Sequence, residues 1–150
     1  PLEGPGSTGP FRGRKRDVFE GGHRVPALVS WPSVVKGPPR ESWDFVTTMD
    51  FLPTVMEILG VERPLDQQSW AMDGRSILPL LKGENNLPPH GMGWWYFSRT
   101  PDSTHGFGFR YGDWKYIQGS FSCTLPSVCG VPQLYNLSSD PGEREDLSAA

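Results

Sequence analysis

Glycine and proline punctuate this chain more tightly than a fold built from long helices or strands would allow. Eighteen glycines and sixteen prolines fall within 150 residues. Each proline fixes φ and removes a hydrogen-bond donor, and each glycine loosens the backbone around it. The expectation is short elements joined by long connections. The eight Phe, six Trp and four Tyr are nonetheless too many for a disordered chain, and they can supply a core. The length admits one domain or a large part of one.

Within that frame, one stretch concentrates charge. Residues 9–26 read Gly-Pro-Phe-Arg-Gly-Arg-Lys-Arg-Asp-Val-Phe-Glu-Gly-Gly-His-Arg-Val-Pro. Arg12, Arg14, Lys15 and Arg16 lie within five positions, between a glycine-rich approach and Gly21-Gly22. Val18 and Phe19 interrupt the polarity and can anchor the loop by packing inward. Gly21-Gly22 suits a tight turn or a backbone approach that a Cβ would block. The apolar run from Val25 to Trp31, closed by Pro32, reads as a buried strand. A cationic loop feeding such a strand can hold fixed positive charge against an oxyanion. The same charges also fit a solvated basic loop. The formal net charge of −3 shows that the cluster is local and offset elsewhere, which argues against a nucleic-acid binder. His23 has no second His or carboxylate at ligand spacing, so it reads as a hydrogen-bonded or surface residue.

The best helix spans Phe51 to Leu59. Asp50 or Thr48 can cap it, Pro53 is tolerated in the first turn, and Gly60 ends it. Phe51, Leu52, Val55, Met56, Ile58 and Leu59 form a wide apolar face, whose burial should stabilise the fold by several kcal/mol, at roughly 1.5–3 kcal/mol per large side chain. Asp73-Gly74 predicts a turn, and Ser76 can cap a short helical piece from Ile77 to Leu81 that Gly83 closes. Glu84 to Gly93, with Pro88-Pro89, reads as a hinge into a second region.

From Trp94 onward the texture becomes strand-like. Trp94 to Phe97 and Phe107 to Phe109 are short aromatic runs, and Gly112-Asp113 between Arg110 and Ile117 predicts a hairpin. Gln133 to Leu137 offers another strand. Together they predict a small antiparallel sheet packed on one face. Asp140-Pro-Gly opens a turn and an acidic tail. Cys123 and Cys129 share a loop and admit either a small disulfide or two free thiols. Their spacing and the lack of a nearby His argue against a metal site. Asn136-Leu137-Ser138 is an N-glycosylation sequon. With the cysteines it favours the secretory route: lysosomal, extracellular or periplasmic. No apolar run approaches the ~20 residues of a membrane-spanning helix. The chain opens on Pro1 without a signal peptide, so it is expected to be a segment whose targeting signal lies elsewhere.

The order of residues in the basic stretch, Gly-Pro-Phe-Arg-x-x-Lys, then Phe-Glu-Gly-Gly-x-Arg-Val-Pro-Ala and Trp-Pro, resembles the sulfatase family near its arylsulfatase and N-acetylgalactosamine-6-sulfatase branches. So do Asp-Phe-Leu-Pro-Thr-Val-x-Glu-Ile-Leu-Gly, Asp-Gly-x-Ser-x-Leu-Pro-Leu-Leu-x-Gly, Arg-x-Gly-Asp-Trp-Lys-Tyr-Ile and Leu-Tyr-Asn-Leu-x-x-Asp-Pro-Gly-Glu. The resemblance implies an α/β fold: residues 1–88 as the end of an alkaline-phosphatase-like catalytic domain, and 89–150 as a small antiparallel α+β subdomain. It implies hydrolysis of a sulfate ester, on a small molecule or a sulfated glycan. It also implies a formylglycine made from a Cys in Cys-x-Pro-x-Arg, beside a calcium ion held by carboxylates and an Asn or Gln. Neither Cys123 nor Cys129 begins that motif, and the family's last metal ligands would fall before Pro1. Nucleophile and metal ligands are therefore expected upstream, and the segment alone is expected to be inactive.

By the same resemblance Lys15 binds the sulfate. Arg12, with Arg14 and Arg16, can steer anionic substrates, with solvated charge as the plain alternative. His105, on the loop from Pro101 to Gly108, can touch the leaving group or be an ordinary loop histidine. Arylsulfatase relatives carry a Cys at the position of Gly13, bonded to a cysteine of the later loop; Gly13 forbids that cross-link here. Two other readings stand beside this one. One is a non-catalytic module that binds sulfated glycans, and the other is a phosphomonoesterase or phosphodiesterase of the same superfamily.

Overall fold

The computed structural model describes residues 6–84, 87–96, 106–119 and 130–149. The residues fall into two compact units. Those up to Pro26 group with those from His90 onward, and Ala27–Pro89 form the other. This packing is distinct from the 1–88 and 89–150 division expected of parent domains, because the basic stretch buries its own anchors in the sheet unit.

In that sheet unit, β2 (Gly106–Tyr111) and β3 (Trp114–Gln118) pair antiparallel with Tyr111 opposite Trp114. Gly112 takes a φ of 58° at the first central position of the two-residue turn, the place a type II′ hairpin reserves for glycine. β1 (Gly91–Tyr96) pairs with the other edge of β2, and β4 (Pro132–Asn136) pairs with β3. The result is an antiparallel meander in the order β1-β2-β3-β4. These are the strands and hairpin that the aromatic runs predict.

β3 alternates as a half-buried strand should, with Lys115 and Ile117 inward. Ile117, Tyr135 and Leu137 form the core with Val18 and Phe19, and Trp94 packs against them. The expected inward anchoring of the basic loop is thus present, with Val18 1% and Phe19 5% exposed. Trp94 lies across its partner Gly108, where an added Cβ would stand 2.6 Å from the indole ring. The tail also belongs to this unit: Leu147 N–H donates to the Leu134 carbonyl and Leu134 N–H to Asp146 Oδ1, so the acidic end runs back along β4.

The second unit is helical. α2 (Phe51–Leu59) follows a 3-10 turn at Thr48–Asp50, and α3 (Leu78–Lys82) ends at Gly83. Asp50 stands at the N-cap position of α2 but makes no side-chain cap bond there; its carboxylate instead belongs to a reciprocal box around the preceding turn, where the Thr47 N–H donates to Asp50 Oδ2 at 2.7 Å. Asp50 Oδ1 accepts the Arg75 N–H at 2.8 Å, and Thr54 Oγ1 donates to the Asp50 carbonyl while accepting the Ile77 N–H. A buried polar staple therefore ties α2 to the approach of α3.

Two expectations fail here. The apolar face of α2 is not buried: Phe51, Leu52, Val55, Ile58 and Leu59 are exposed, and Thr54 is the helix's buried residue. Val25 to Trp31 is not a strand, and Leu28 is 95% exposed. A strand needs a neighbouring ladder and an amphipathic helix needs an apolar surface. The described residues provide neither for these two segments.

Candidate functional site

The basic cluster is shaped by one turn. Asp17 N–H donates to the Arg14 carbonyl at 2.8 Å, closing Arg14-Lys15-Arg16-Asp17. Arg16 has a φ of 85°, the signature of the third residue of a type II turn. Asp17 is buried, and its Oδ2 accepts the Arg14 N–H at 2.8 Å, bracing the turn from beneath. Gly21 N–H donates to the Arg12 carbonyl at 2.7 Å, and a Cβ on Gly22 would lie 2.0 Å from the Asp17 carbonyl oxygen. Gly21-Gly22 is the close approach that the sequence predicts. Lys15 and Arg16 stand exposed at the apex of this braced loop.

Behind the turn lies a buried ionic cluster. α1 (Glu20–His23) is a single turn that presents Glu20 and His23 to β3. Lys115 Nζ donates to Glu20 Oε1 at 2.9 Å, stands 2.7 Å from Glu143 Oε1, and contacts His23 Nε2 at 3.2 Å. Lys115, Glu20 and Glu143 have no exposed surface. Glu20 Oε2 also receives Arg24 at 3.2 Å and lies 3.8 Å from Arg110. Glu143 Oε2 accepts the Glu20 backbone N–H at 2.6 Å. The cluster thus joins the basic stretch, β3 and the C-terminal turn.

The two carboxylates differ although they share one lysine. Burial alone would raise Glu20, but the Lys115 ammonium, helped by His23 and Arg110, holds it below the usual carboxylate range. For Glu143, burial wins over the pull of Lys115 and raises it. The Arg110 guanidinium beside Glu20, and the repulsion of Glu20 on Glu143, account for the difference. His23 is pushed down to about 4 by burial and by Lys115, so it is neutral at pH 7. A neutral ring that accepts the Lys115 proton at Nε2 carries its own proton at Nδ1, facing the backbone of Val18. His23 is thus a hydrogen-bonded residue, as its isolation in the sequence predicts.

Arg12 is held in the scaffold. Its Nη1 donates to Tyr135 Oη at 2.9 Å and to the Glu143 carbonyl at 3.1 Å, and its guanidinium covers the Phe19 ring at 3.9 Å. An open cleft of about 540 Å³ lies beside it, lined by Pro10, Phe11, Arg12, Gly142, Glu143 and Arg144. Lys15 does not line that cleft. Asn136 ends β4, where its Oδ1 accepts the N–H and the hydroxyl of Ser138. His105, Cys123 and Cys129 lie outside the described residues.

Lys115, Glu20 and Glu143 do not stand out as site residues in the sequence. One signal was available: Lys115 takes an inward position in the alternating run Trp114-Lys115-Tyr116-Ile117, where a charge must find a buried partner. Among the described residues, no group of three or more His, Cys, Asp or Glu side chains can hold a metal ion. Two carboxylates and an imidazole do converge, but on the ammonium of Lys115. None of the described helices is long and apolar enough to cross a membrane.

The profile of the family described as N-sulphoglucosamine sulphohydrolase, C-terminal, matches residues 8–150. The chain is 32% identical over 157 residues to arylsulfatase A of Bos taurus, covering 95% of this chain and 29% of that protein. It is 33% identical over 164 residues to steryl-sulfatase of Mus musculus, covering 95% and 25%. It is 31% identical over 166 residues to N-acetylgalactosamine-6-sulfatase of Mus musculus, covering 99% and 31%. Among solved structures it is similar to Ps i-CgsB, with a TM-score of 0.71, 25% identity, and coverage of 93% of this chain and 28% of that one. The same protein in complex with k-i-k-neocarrahexaose gives a TM-score of 0.70 at 26% identity, again with 93% and 28% covered. The chain therefore spans between a quarter and a third of the length of these relatives.

Proposed function

This chain belongs to the sulfatase family, in the group described as N-sulphoglucosamine sulphohydrolase, C-terminal, and from that premise we propose that it is the C-terminal part of an enzyme that hydrolyses sulfate esters. In this reading residues 1–88 close the α/β catalytic domain and 89–150 form its small subdomain. The observation that carries it is the braced turn Arg14–Asp17, whose fixed backbone presents Lys15 at an exposed apex.

Cleaving a sulfate ester requires a nucleophile, neutralisation of charge on the sulfuryl oxygens, and a proton for the departing alcohol. Lys15 supplies the second. Its ammonium is a compact charge with three donors, suited to a tetrahedral oxyanion. His105 is the proposed contact to the leaving group, and Arg12 contributes long-range attraction while its guanidinium is engaged in the scaffold. A calcium ion and a formylglycine belong to this chemistry. The described side chains do not fit a calcium site, since the converging carboxylates are neutralised by Lys115.

A sulfated glycan is the favoured substrate class, in line with the k-i-k-neocarrahexaose complex of a structural relative. Passage through the secretory route, with glycosylation at Asn136, accompanies this reading. The decisive test is Lys15→Ala in the intact enzyme. We expect kcat/KM on sulfate esters to fall about tenfold or more, on the order of 1.4 kcal/mol. Unchanged kinetics would remove Lys15 from the site. Salt-sensitive binding of sulfated glycans by an intact protein with no hydrolytic activity would favour the binding-module reading instead.

A further inference from the structure

Arg16 occupies a backbone position that suits it poorly. At a φ of 85° an L side chain crowds the adjacent carbonyl, a penalty that glycine escapes and that Asn or Asp partly offset with local hydrogen bonds. The turn cannot relax, because Asp17 closes it twice, through its N–H to the Arg14 carbonyl and through Oδ2 to the Arg14 N–H. Gly22 packs directly beneath, with room for no Cβ. A strained conformation that its surroundings over-determine, at the apex of a loop, points to a functional constraint.

The position also sets like charges side by side. Arg14, Lys15 and Arg16 are consecutive, and Lys15 and Arg16 are both exposed. A ligand with two anionic groups would gain from two distinct cations, because an ammonium suits a point contact and a guanidinium fork grips two oxygens of one sulfate or carboxylate. We propose that Arg16 is a specificity-determining residue that engages a second anionic group of the substrate beside the ester held by Lys15, so that the enzyme prefers sulfated saccharides carrying more than one anion. This deepens the proposed function and rests on the role given there to Lys15.

The test uses the intact enzyme as wild type, Arg16→Gly, Arg16→Lys and Lys15→Ala, each with a monosulfated aryl ester and a disulfated disaccharide. Glycine adopts the native φ without strain, so Arg16→Gly should fold with an unchanged or raised melting temperature. We expect Arg16→Gly to lower the ratio of kcat/KM for the disulfated over the monosulfated substrate about tenfold, chiefly through KM. Arg16→Lys should recover part of that ratio. The two-substrate ratio is a readout that a merely structural role would not move. A ratio that stays within about twofold of wild type, while Lys15→Ala is impaired on both substrates, overturns the role of Arg16 and leaves the sulfatase reading intact. Lys15→Ala kinetics equal to wild type, or a protein that hydrolyses neither substrate, overturns the underlying reading and this inference with it.

Discussion

In the sheet unit a lysine with no exposed surface is wedged between two carboxylates, whereas in the helical unit Leu28, Leu52 and Leu59 face outward at 95%, 63% and 67% exposure. The sheet unit buries a lysine with its two glutamates and the helical unit leaves the aliphatic side chains of its main helix exposed, each the reverse of the usual assignment for those residue types. The sheet unit can do so because its charges find partners within it: Glu20 and Glu143 reach Lys115 from segments far apart in sequence. The helical unit holds itself together through Asp50 and Thr54, and the apolar face of α2 has no cover among the described residues. Hydrophobicity in a segment states a requirement for cover; it does not state that the cover is nearby.

The sharpest way to break this contrast is to remove the ammonium. Lys115→Met takes the buried cation from Glu143 and leaves Glu20 with Arg24 and Arg110 alone, and we expect a loss of about 3–5 kcal/mol by urea denaturation of the intact protein. A loss below about 1 kcal/mol would mean that water reaches the cluster and that the unit is not dry. Next, Gly108→Ala sets a Cβ 2.6 Å from the Trp94 ring, so the indole must move off the core. The expected loss is about 1–3 kcal/mol, with a red shift in Trp emission.

A pH series tests the cluster from another side. His23 has a folded value of about 4, below its ordinary 6.5, so the unfolded chain takes up the proton first as pH falls. Its stabilising share is therefore whole above pH 6.5 and is lost on acidification toward pH 4, with a slope of at most about 1.4 kcal/mol per pH unit. Glu20, held low, likewise weakens the fold in acid; Glu143, held high, contributes in acid and loses that share as pH rises. The difference between wild type and His23→Gln isolates the imidazole. The variant's stability curve should be flatter between pH 4 and 6.5. Parallel curves would show that His23 titrates normally.

The smallest effect belongs to the helical unit. In this chain expressed alone, Leu52→Ser should change stability by no more than about 0.5 kcal/mol while improving solubility. A loss above about 2 kcal/mol would show the face of α2 to be covered after all.

What was legible in the sequence was local. The hairpin at Gly112-Asp113 is written within a few residues of where it acts, as are the glycine stops after α2 and α3. The close approach at Gly21-Gly22 was legible because only a missing Cβ permits it. The pairing of Lys115 with Glu20 spans 95 residues, and no periodicity announces a partner that distant. The exposure of α2 is not legible for the same reason, since amphipathicity names a face without naming its cover. Lys15 lay between the two cases: its type and neighbours marked it as a candidate, but the turn that exposes it depends on Asp17 and on the left-handed backbone of Arg16.

The central claim is that the basic turn and the sheet are one cooperative body, so that the backbone bearing Lys15 is held in place at the apex. Hydrogen exchange in the intact protein tests it most directly, by comparing the amides of Asp17, Gly21 and Gly22, bonded to the carbonyls of Arg14, Arg12 and Phe19, with those of β3. The expected result is protection within about tenfold of the β3 amides, with both sets weakened together by Lys115→Met. Loop amides that exchange several orders of magnitude faster than a fully protected β3 would contradict it.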